Sequence, residues 1–201
     1  YCLPKKGLQD ADINYRNFLS LCSHEYYHAW NVKKLRPHNL IRYNFDTECY
    51  TSMLWLFEGI TSYYDDLQVR RAGLMSVSMY LDIMGKNYSK LLKNKGRTVQ
   101  CLADASFDAW IKFYRPHENS QNTTVSYYLK GSFVALYLDL MIRHRSHNTL
   151  SLDTIMKQAL STYGVSGVSE ANFFALMAET GIDTDAFKKD YIYGTRELDL
   201  G

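Results

Sequence analysis

The chain has 201 residues, of which 46% are hydrophobic and 22% are charged, and its formal net charge is +2. This composition is typical of a soluble globular domain with a substantial core. The small net charge, without a run of Lys and Arg, argues against a nucleic-acid-binding surface. No window of about eighteen apolar residues predicts a membrane span, and the four cysteines lack the C-x-x-C spacing of a metal or redox motif.

A first helix is predicted to follow the polar residues 1–12, which include Pro4 and Gly7 and form an entry loop. The carboxylate of Asp10 or Asp12 can cap its N-terminus. The helix is expected to end before Pro37, because the residue that precedes a proline disfavours helical backbone angles.

The first helix carries the motif His24-Glu25-Tyr-Tyr-His28. Residues four apart lie on one helix face, so a single metal ion can bind an imidazole nitrogen from each histidine. Glu25 can reach a water molecule on that metal without being a ligand itself, which is the arrangement that catalytic zinc requires. The plainer alternative is a pair of histidines on a polar helix face. Cys22 points away from the metal, and we expect it to be a small buried residue.

A second helix is predicted over residues 51–71 and is closed by Gly73. It contains a carboxylate, Glu58, within the apolar run Leu-Trp-Leu-Phe-Glu-Gly-Ile. A buried and unpaired carboxylate costs several kcal/mol, so such a group is normally paired or bound to metal. The alternative is a solvent-exposed Glu on an amphipathic helix. Gly59 favours the buried position, because a glycine inside a helix is often tolerated where another element approaches closely.

The rest of the chain is also predicted to be helical, with strand patterns nearly absent and no repeat or clear linker. The sequence therefore predicts a single, mainly α domain. Further helices are expected over residues 74–92, 104–114, 126–145, 151–163, 168–179 and 183–192.

With both motifs in hand, the sequence resembles the glycyl aminopeptidase family, M61, of gluzincin zinc metallopeptidases. The resemblance implies a thermolysin-like helical catalytic subdomain in which His24, His28 and Glu58 bind Zn²⁺. It extends from about Phe18 to Leu200. The matching segments are His24 to Pro37, Leu54 to Tyr64, Ala105 to Pro116, Val125 to Gly131 and Tyr193 to Leu198.

Catalytic roles follow from the same resemblance. Glu25 is expected to be the general base, and Tyr128 is expected to donate a hydrogen bond to the oxyanion, because it occupies the tyrosine of a Tyr-x-Lys-Gly segment. Tyr127 is the neighbour that could hold this role instead, and Tyr128 would then be a core aromatic.

Supporting residues are left open by the sequence. Ser62 and Asp65 both lie near the face of Glu58, and either could orient a metal-bound histidine, although each could also be an ordinary helix residue. Lys130 could equally be a charged residue that faces solvent.

The resemblance also implies that residues 1–201 form one helical catalytic subdomain of a longer protein. Relatives have a β-rich region upstream, which receives the amino end of the substrate, and a PDZ domain downstream. The implied partner is a peptide with a small N-terminal residue such as Gly or Ala, with no nucleic acid and no membrane. We expect the surface left without the β region to allow pairing into a homodimer, and we take the cytoplasm as the expected location.

Two other functions remain open at this point. One is a zinc endopeptidase, because the pocket for the amino end of the substrate is not in this sequence. The other is a zinc-stabilised interaction module that has lost catalysis. The presence of Glu25 argues against the second, since a purely structural site does not need a general base.

Overall fold

The computed structural model describes residues 13–42 and 44–200, and in this part of the chain the ordered elements are helices. Pairing between extended residues is limited there to two isolated bridges, Asn31 with Leu35 and Pro37 with Val168. The mainly helical fold class is therefore confirmed. The α-helices are α1 (Ile13–Tyr27), α2 (Ile60–Arg71), α3 (Val77–Lys93), α4 (Leu102–Phe107), α5 (Ser120–Thr123), α6 (Leu129–Arg145), α7 (Leu152–Tyr163), α8 (Glu170–Ala178) and α9 (Thr184–Phe187).

Several predicted helices contain a wider turn that the sequence did not indicate. The second predicted helix begins as one turn of π-helix, Trp55–Gly59, and continues as α2. Further π-turns follow at Ala109–Phe113 and Lys188–Ile192. Such turns occur frequently at functional sites, and the first of them contains Glu58.

Local sequence signals explain where α2 ends and α3 begins. Gly73 has a φ of 76° and follows the last turn of α2, in the left-handed conformation that glycine adopts without steric cost. The Ser76 side chain then accepts a hydrogen bond from the Met79 backbone N–H at 3.2 Å and caps α3.

The hydrophobic core lies around the first π-turn, α2 and α6. Trp55, Leu56 and Ile60 are fully buried there, as is Leu138 of α6. The Trp55 ring lies 6.2 Å from the Phe173 ring in an edge-on arrangement, so α8 completes the core on this side. The first π-turn is therefore fixed by packing on several sides.

Two glycines bring the first π-turn into direct contact with α6. A Cβ atom built on Gly59 would lie 2.7 Å from the Gly131 Cα and 2.9 Å from the Tyr127 carbonyl oxygen. A Cβ on Gly131 would lie 2.9 Å from the Gly59 Cα. The close approach expected at Gly59 is thus confirmed, and it fixes the distance between Glu58 and the start of α6.

The environment of Cys22 differs from the prediction. We expected a buried residue, but Cys22 is exposed and lines a groove with a volume of about 940 Å³ that extends between α1, α2 and α7. The reason is that α1 contains no buried residue, so its outward face lacks apolar cover. The predicted caps Asp10 and Asp12 lie outside the described residues.

Lys130 is also not a solvated charge. Its side chain is 4% exposed, and its Nζ donates a hydrogen bond to the Arg97 carbonyl oxygen at 2.8 Å. Burial lowers the pKa of Lys130 to about 8. The lysine therefore ties α6 to the segment that follows α3.

Within residues 13–42 and 44–200, none of the helices combines the length and the hydrophobicity needed to cross a bilayer.

Candidate metal centre

Three predicted ligands converge where the C-terminal end of α1 lies close to the first π-turn. The helix predicted to carry both histidines ends at Tyr27, so His24 lies in the last turn of α1 and His28 directly follows it. Their ring centroids are 4.7 Å apart and the ring planes are perpendicular. Glu58 Oε2 lies 3.4 Å from His24 Nε2 and 3.2 Å from His28 Nε2. One potential ligand atom from each residue falls within 4.8 Å of the others.

The Glu58 carboxylate fits a divalent metal better than it fits a hydrogen-bonding role. Its Oε2 atom is buried and has no hydrogen-bond partner, and a buried polar atom without a partner requires an explanation. Two imidazole nitrogens face it, so the donor set is two nitrogens and one carboxylate oxygen. That set is typical of a catalytic zinc site, which keeps its fourth position open for water or substrate.

The charges of the cluster suit this interpretation. Burial alone would raise the pKa of Glu58, but the imidazoles of His24 and His28 outweigh burial and lower it to about 2. Burial alone would lower the pKa of His24, but the carboxylates of Asp65 and Glu58 outweigh it and raise the pKa to about 9. Glu58 is therefore ionised at neutral pH, whereas His24 is protonated until a bound metal displaces its proton, because a ligating imidazole is neutral.

Asp65 is the carboxylate that faces the outer nitrogen of His24. Its Oδ2 lies 3.4 Å from His24 Nδ1. Asp65 is a residue of α2 and follows Glu58 by about two helical turns. Burial raises the pKa of Asp65 to about 6. Of the two residues that the sequence left open, Asp65 and Ser62, the contacts described in the structure link Asp65 to a ligand. A carboxylate at this position orients the imidazole, so that its other nitrogen faces Glu58.

The predicted general base lies at the edge of this cluster. Glu25 follows His24 on α1, and its side chain is exposed. It is therefore accessible to a substrate or to a water molecule, while the neighbouring His24 is partly buried.

Tyr128 lies beside the cluster at the start of α6. Its ring is 6.3 Å from the His24 ring, and its hydroxyl is 3.3 Å from the Tyr114 hydroxyl. Tyr127 is only 1% exposed, and its hydroxyl donates to Tyr114 at 3.4 Å. Burial, with the nearby negative charge of Glu58, raises the pKa of Tyr128, so its hydroxyl remains protonated. Tyr128 is thus the member of the pair that has a described ring contact with a histidine of the cluster.

Two residues of this region were missed by the sequence analysis. The backbone carbonyl of Asn31 lies 2.9 Å from His28 Nδ1, and Tyr114 contacts the hydroxyls of both tyrosines. Asn31 stands three residues after His28, which is the one signal that could have identified it. Tyr114 lies in the matching segment from Ala105 to Pro116, but no motif marks it as a partner of Tyr127 and Tyr128.

Comparisons with known proteins identify the family of this chain. A family model for the M61 glycyl aminopeptidases matches residues 17–134. The crystal structure of an aminopeptidase N family protein from Idiomarina loihiensis is similar, with 39% sequence identity and a TM-score of 0.90. The similarity covers 94% of this chain and 33% of that protein, so the chain spans about a third of its length. A comparison with curated proteins found no match.

Proposed function

Because the chain belongs to the M61 glycyl aminopeptidase family, we propose that it supplies the catalytic zinc site of an aminopeptidase that removes small N-terminal residues, such as Gly or Ala, from peptides. The observation that carries the proposal is the cluster of His24, His28 and Glu58, whose ligand atoms lie within 4.8 Å of one another. The buried Glu58 Oε2, which has no hydrogen bond, supports a metal at this position.

In this proposal His24 and His28 would hold the metal through their Nε2 atoms, and Glu58 would hold it through its carboxylate. Zinc, when bound there, supplies Lewis-acid polarisation of a water molecule and of the scissile carbonyl. Asp65 keeps the His24 ring in its orientation through Nδ1. Glu25 is exposed, so its carboxylate is accessible to a water molecule.

The proton transfers are assigned to Glu25. Its carboxylate accepts a proton from the attacking water and delivers it to the nitrogen of the leaving amine. The tetrahedral intermediate carries a negative oxygen, and the Tyr128 hydroxyl donates a hydrogen bond to it. Because its pKa is raised, Tyr128 keeps the proton that this donation requires.

The first test separates metal binding from proton transfer. The chain should retain one zinc ion per molecule after loading and dialysis, measured by elemental analysis. Glu25→Gln should keep the zinc. In the intact natural protein, the same substitution should lower the rate of hydrolysis of Gly- and Ala-linked chromogenic substrates by a factor of about 10²–10⁴.

The control for this test is Glu48→Gln, which makes the same chemical change at an exposed glutamate outside the cluster. It should leave both zinc content and turnover unchanged. A chain that retains no zinc would refute the proposed site, and full activity of Glu25→Gln would refute the proposed base.

The second test compares the two adjacent tyrosines. Tyr128→Phe in the intact natural protein should lower kcat by a factor of about 10²–10³, the usual cost of one oxyanion donor, with little change in KM. Tyr127→Phe is the matched control and should lower kcat much less. If Tyr127→Phe is the impaired variant and Tyr128→Phe is fully active, the oxyanion role belongs to Tyr127.

A further inference from the structure

Asn31 is a buried polar residue that lies between the two segments of the candidate metal centre. It is 1% exposed and follows α1, three residues after His28. A buried carboxamide loses free energy for each polar atom that lacks a partner. The Asn31 Nδ2 atom has partners, whereas its buried Oδ1 atom has none. The partners of Asn31 lie on both sides of the metal centre, and this distribution points to a role beyond packing.

The side chain of Asn31 holds the π-turn that contains Glu58. Its Nδ2 atom lies 3.3 Å from the Leu56 carbonyl oxygen and 3.2 Å from the Phe57 carbonyl oxygen. It is also 3.1 Å from the Thr61 hydroxyl, which itself donates to the Phe57 carbonyl. The two carbonyls belong to the residues directly before Glu58, so the amide fixes the backbone from which the third ligand projects.

The backbone of Asn31 acts on the second ligand. Its carbonyl oxygen lies 2.9 Å from His28 Nδ1. A carbonyl only accepts hydrogen bonds, so this contact assigns the proton of the neutral imidazole to Nδ1. His28 Nε2 is then left with a free lone pair, and that atom is the one that faces Glu58 Oε2 at 3.2 Å.

The backbone after Asn31 has an unusual conformation. Val32 has a φ of 130°, a region that β-branched residues rarely adopt. Such a conformation persists only where the surrounding contacts enforce it, and it is most common at functional sites. The buried hydrogen bonds of Asn31 are contacts of this kind, because they fix the residue immediately before Val32.

From these contacts we propose that Asn31 is a positioning residue for the metal centre, which orients His28 through its carbonyl and Glu58 through its amide. The inference rests on the proposed zinc function. It means that one residue fixes the position of the end of α1 relative to the first π-turn. A residue that only stabilised the fold would affect thermal stability without changing the affinity or geometry of the bound metal.

The experiment measures metal binding by Asn31→Leu, which has a similar size and lacks the amide donors. Zinc affinity is measured by competition with a chromophoric chelator, and site geometry by the visible absorption spectrum of the Co²⁺-loaded chain. We expect zinc affinity to fall by a factor of about 10–100, as is typical when a residue that supports a metal ligand is removed, and we expect the Co²⁺ bands to shift.

The matched control is Gln100→Leu. Gln100 is also a buried carboxamide, 7% exposed, and its Oε1 accepts a hydrogen bond from the Val125 backbone N–H at 2.9 Å. It has no described contact with the three ligands. This variant should lose thermal stability while binding zinc as tightly as the unmodified chain, with an unchanged Co²⁺ spectrum.

The outcomes separate this inference from the proposed function. If the unmodified chain binds no zinc, the proposed function itself fails, and this inference fails with it. If the unmodified chain binds zinc and Asn31→Leu binds it equally tightly, only the role of Asn31 is refuted. If circular dichroism shows that Asn31→Leu does not fold, Thr61→Val tests the same contact from α2, and an unchanged zinc affinity with an unchanged Co²⁺ spectrum would then overturn the inference.

Discussion

The two segments that contribute ligands to the candidate metal centre are held in opposite ways. None of the 15 residues of α1 is buried, whereas four of the five residues of the first π-turn are buried. The described contacts of α1 with α2 include polar ones, such as the Ser20 hydroxyl with Asp66 and His24 with Asp65. The π-turn is instead fixed by the core around Trp55.

This difference shows which part of the site is stabilised by the hydrophobic core. Buried apolar surface supplies most of the stability of a fold, and segments with little of it open locally. Glu58 therefore lies in the rigid part of the candidate metal centre, while His24 lies on, and His28 directly after, a helix whose residues are at most partly buried. A metal that binds all three residues would tie α1 to the core.

The largest effect is expected for a substitution that removes core contacts of the π-turn. Trp55→Ala should lower the free energy of unfolding by about 3–5 kcal/mol, because a large buried aromatic leaves a cavity. Tyr26→Ala is the counterpart on α1, at a residue that is 69% exposed, and should cost less than about 1 kcal/mol. Urea denaturation measures both values. Equal losses would contradict the contrast between the two segments.

An intermediate effect is expected from the metal itself. Zinc at about 100 times its Kd should add about 2.7 kcal/mol to the free energy of any opening that breaks the site. Native-state hydrogen exchange should therefore show increased protection of the α1 amides. Amides that exchange through local opening of α3 should gain no protection, because α3 contributes no proposed ligand. Unchanged exchange of α1 upon zinc binding would show that α1 is already rigid without metal.

The smallest effect concerns the contact between the π-turn and α6. Gly59→Ala should destabilise the protein by about 1–3 kcal/mol, because its Cβ would collide with backbone atoms that cannot move independently. Gly85→Ala is the matched control inside α3, where a Cβ would meet nothing within 4 Å, and it should stabilise by about 0.5–1 kcal/mol. Thermal and chemical denaturation of the two variants decide this point, and similar values for both would refute the importance of the Gly59–Gly131 contact.

Sequence reasoning succeeded where the information was local. The predicted helix over residues 126–145 corresponds to α6 at Leu129–Arg145, and the helix over 151–163 corresponds to α7 at Leu152–Tyr163. Periodicity and capping residues are properties of neighbouring positions, so they can be recognised without knowledge of the tertiary structure. The prediction for Cys22 failed because burial depends on whether another element covers the helix face.

For the site, the sequence limited the choice but did not complete it. It placed Ser62 and Asp65 equally well as supports of a histidine, and the structure brings Asp65 Oδ2 to 3.4 Å from His24 Nδ1. It also left Tyr127 and Tyr128 as neighbours with the same chemistry. The structure separates them, because Tyr127 is buried while the Tyr128 ring lies 6.3 Å from the His24 ring.

By itself, the sequence determined a mainly helical chain with His24 and His28 one helical turn apart and a carboxylate set in an apolar helix. These features follow from the periodicity of a single helix and from the cost of burying a charge. Only the tertiary structure decided that Glu58 faces both histidines, that the backbones of Gly59 and Gly131 touch, and that Asn31 joins α1 to the π-turn. The reason is physical: contacts between helices depend on backbone approach and on buried hydrogen bonds, and neither is encoded in the spacing of residues along one helix.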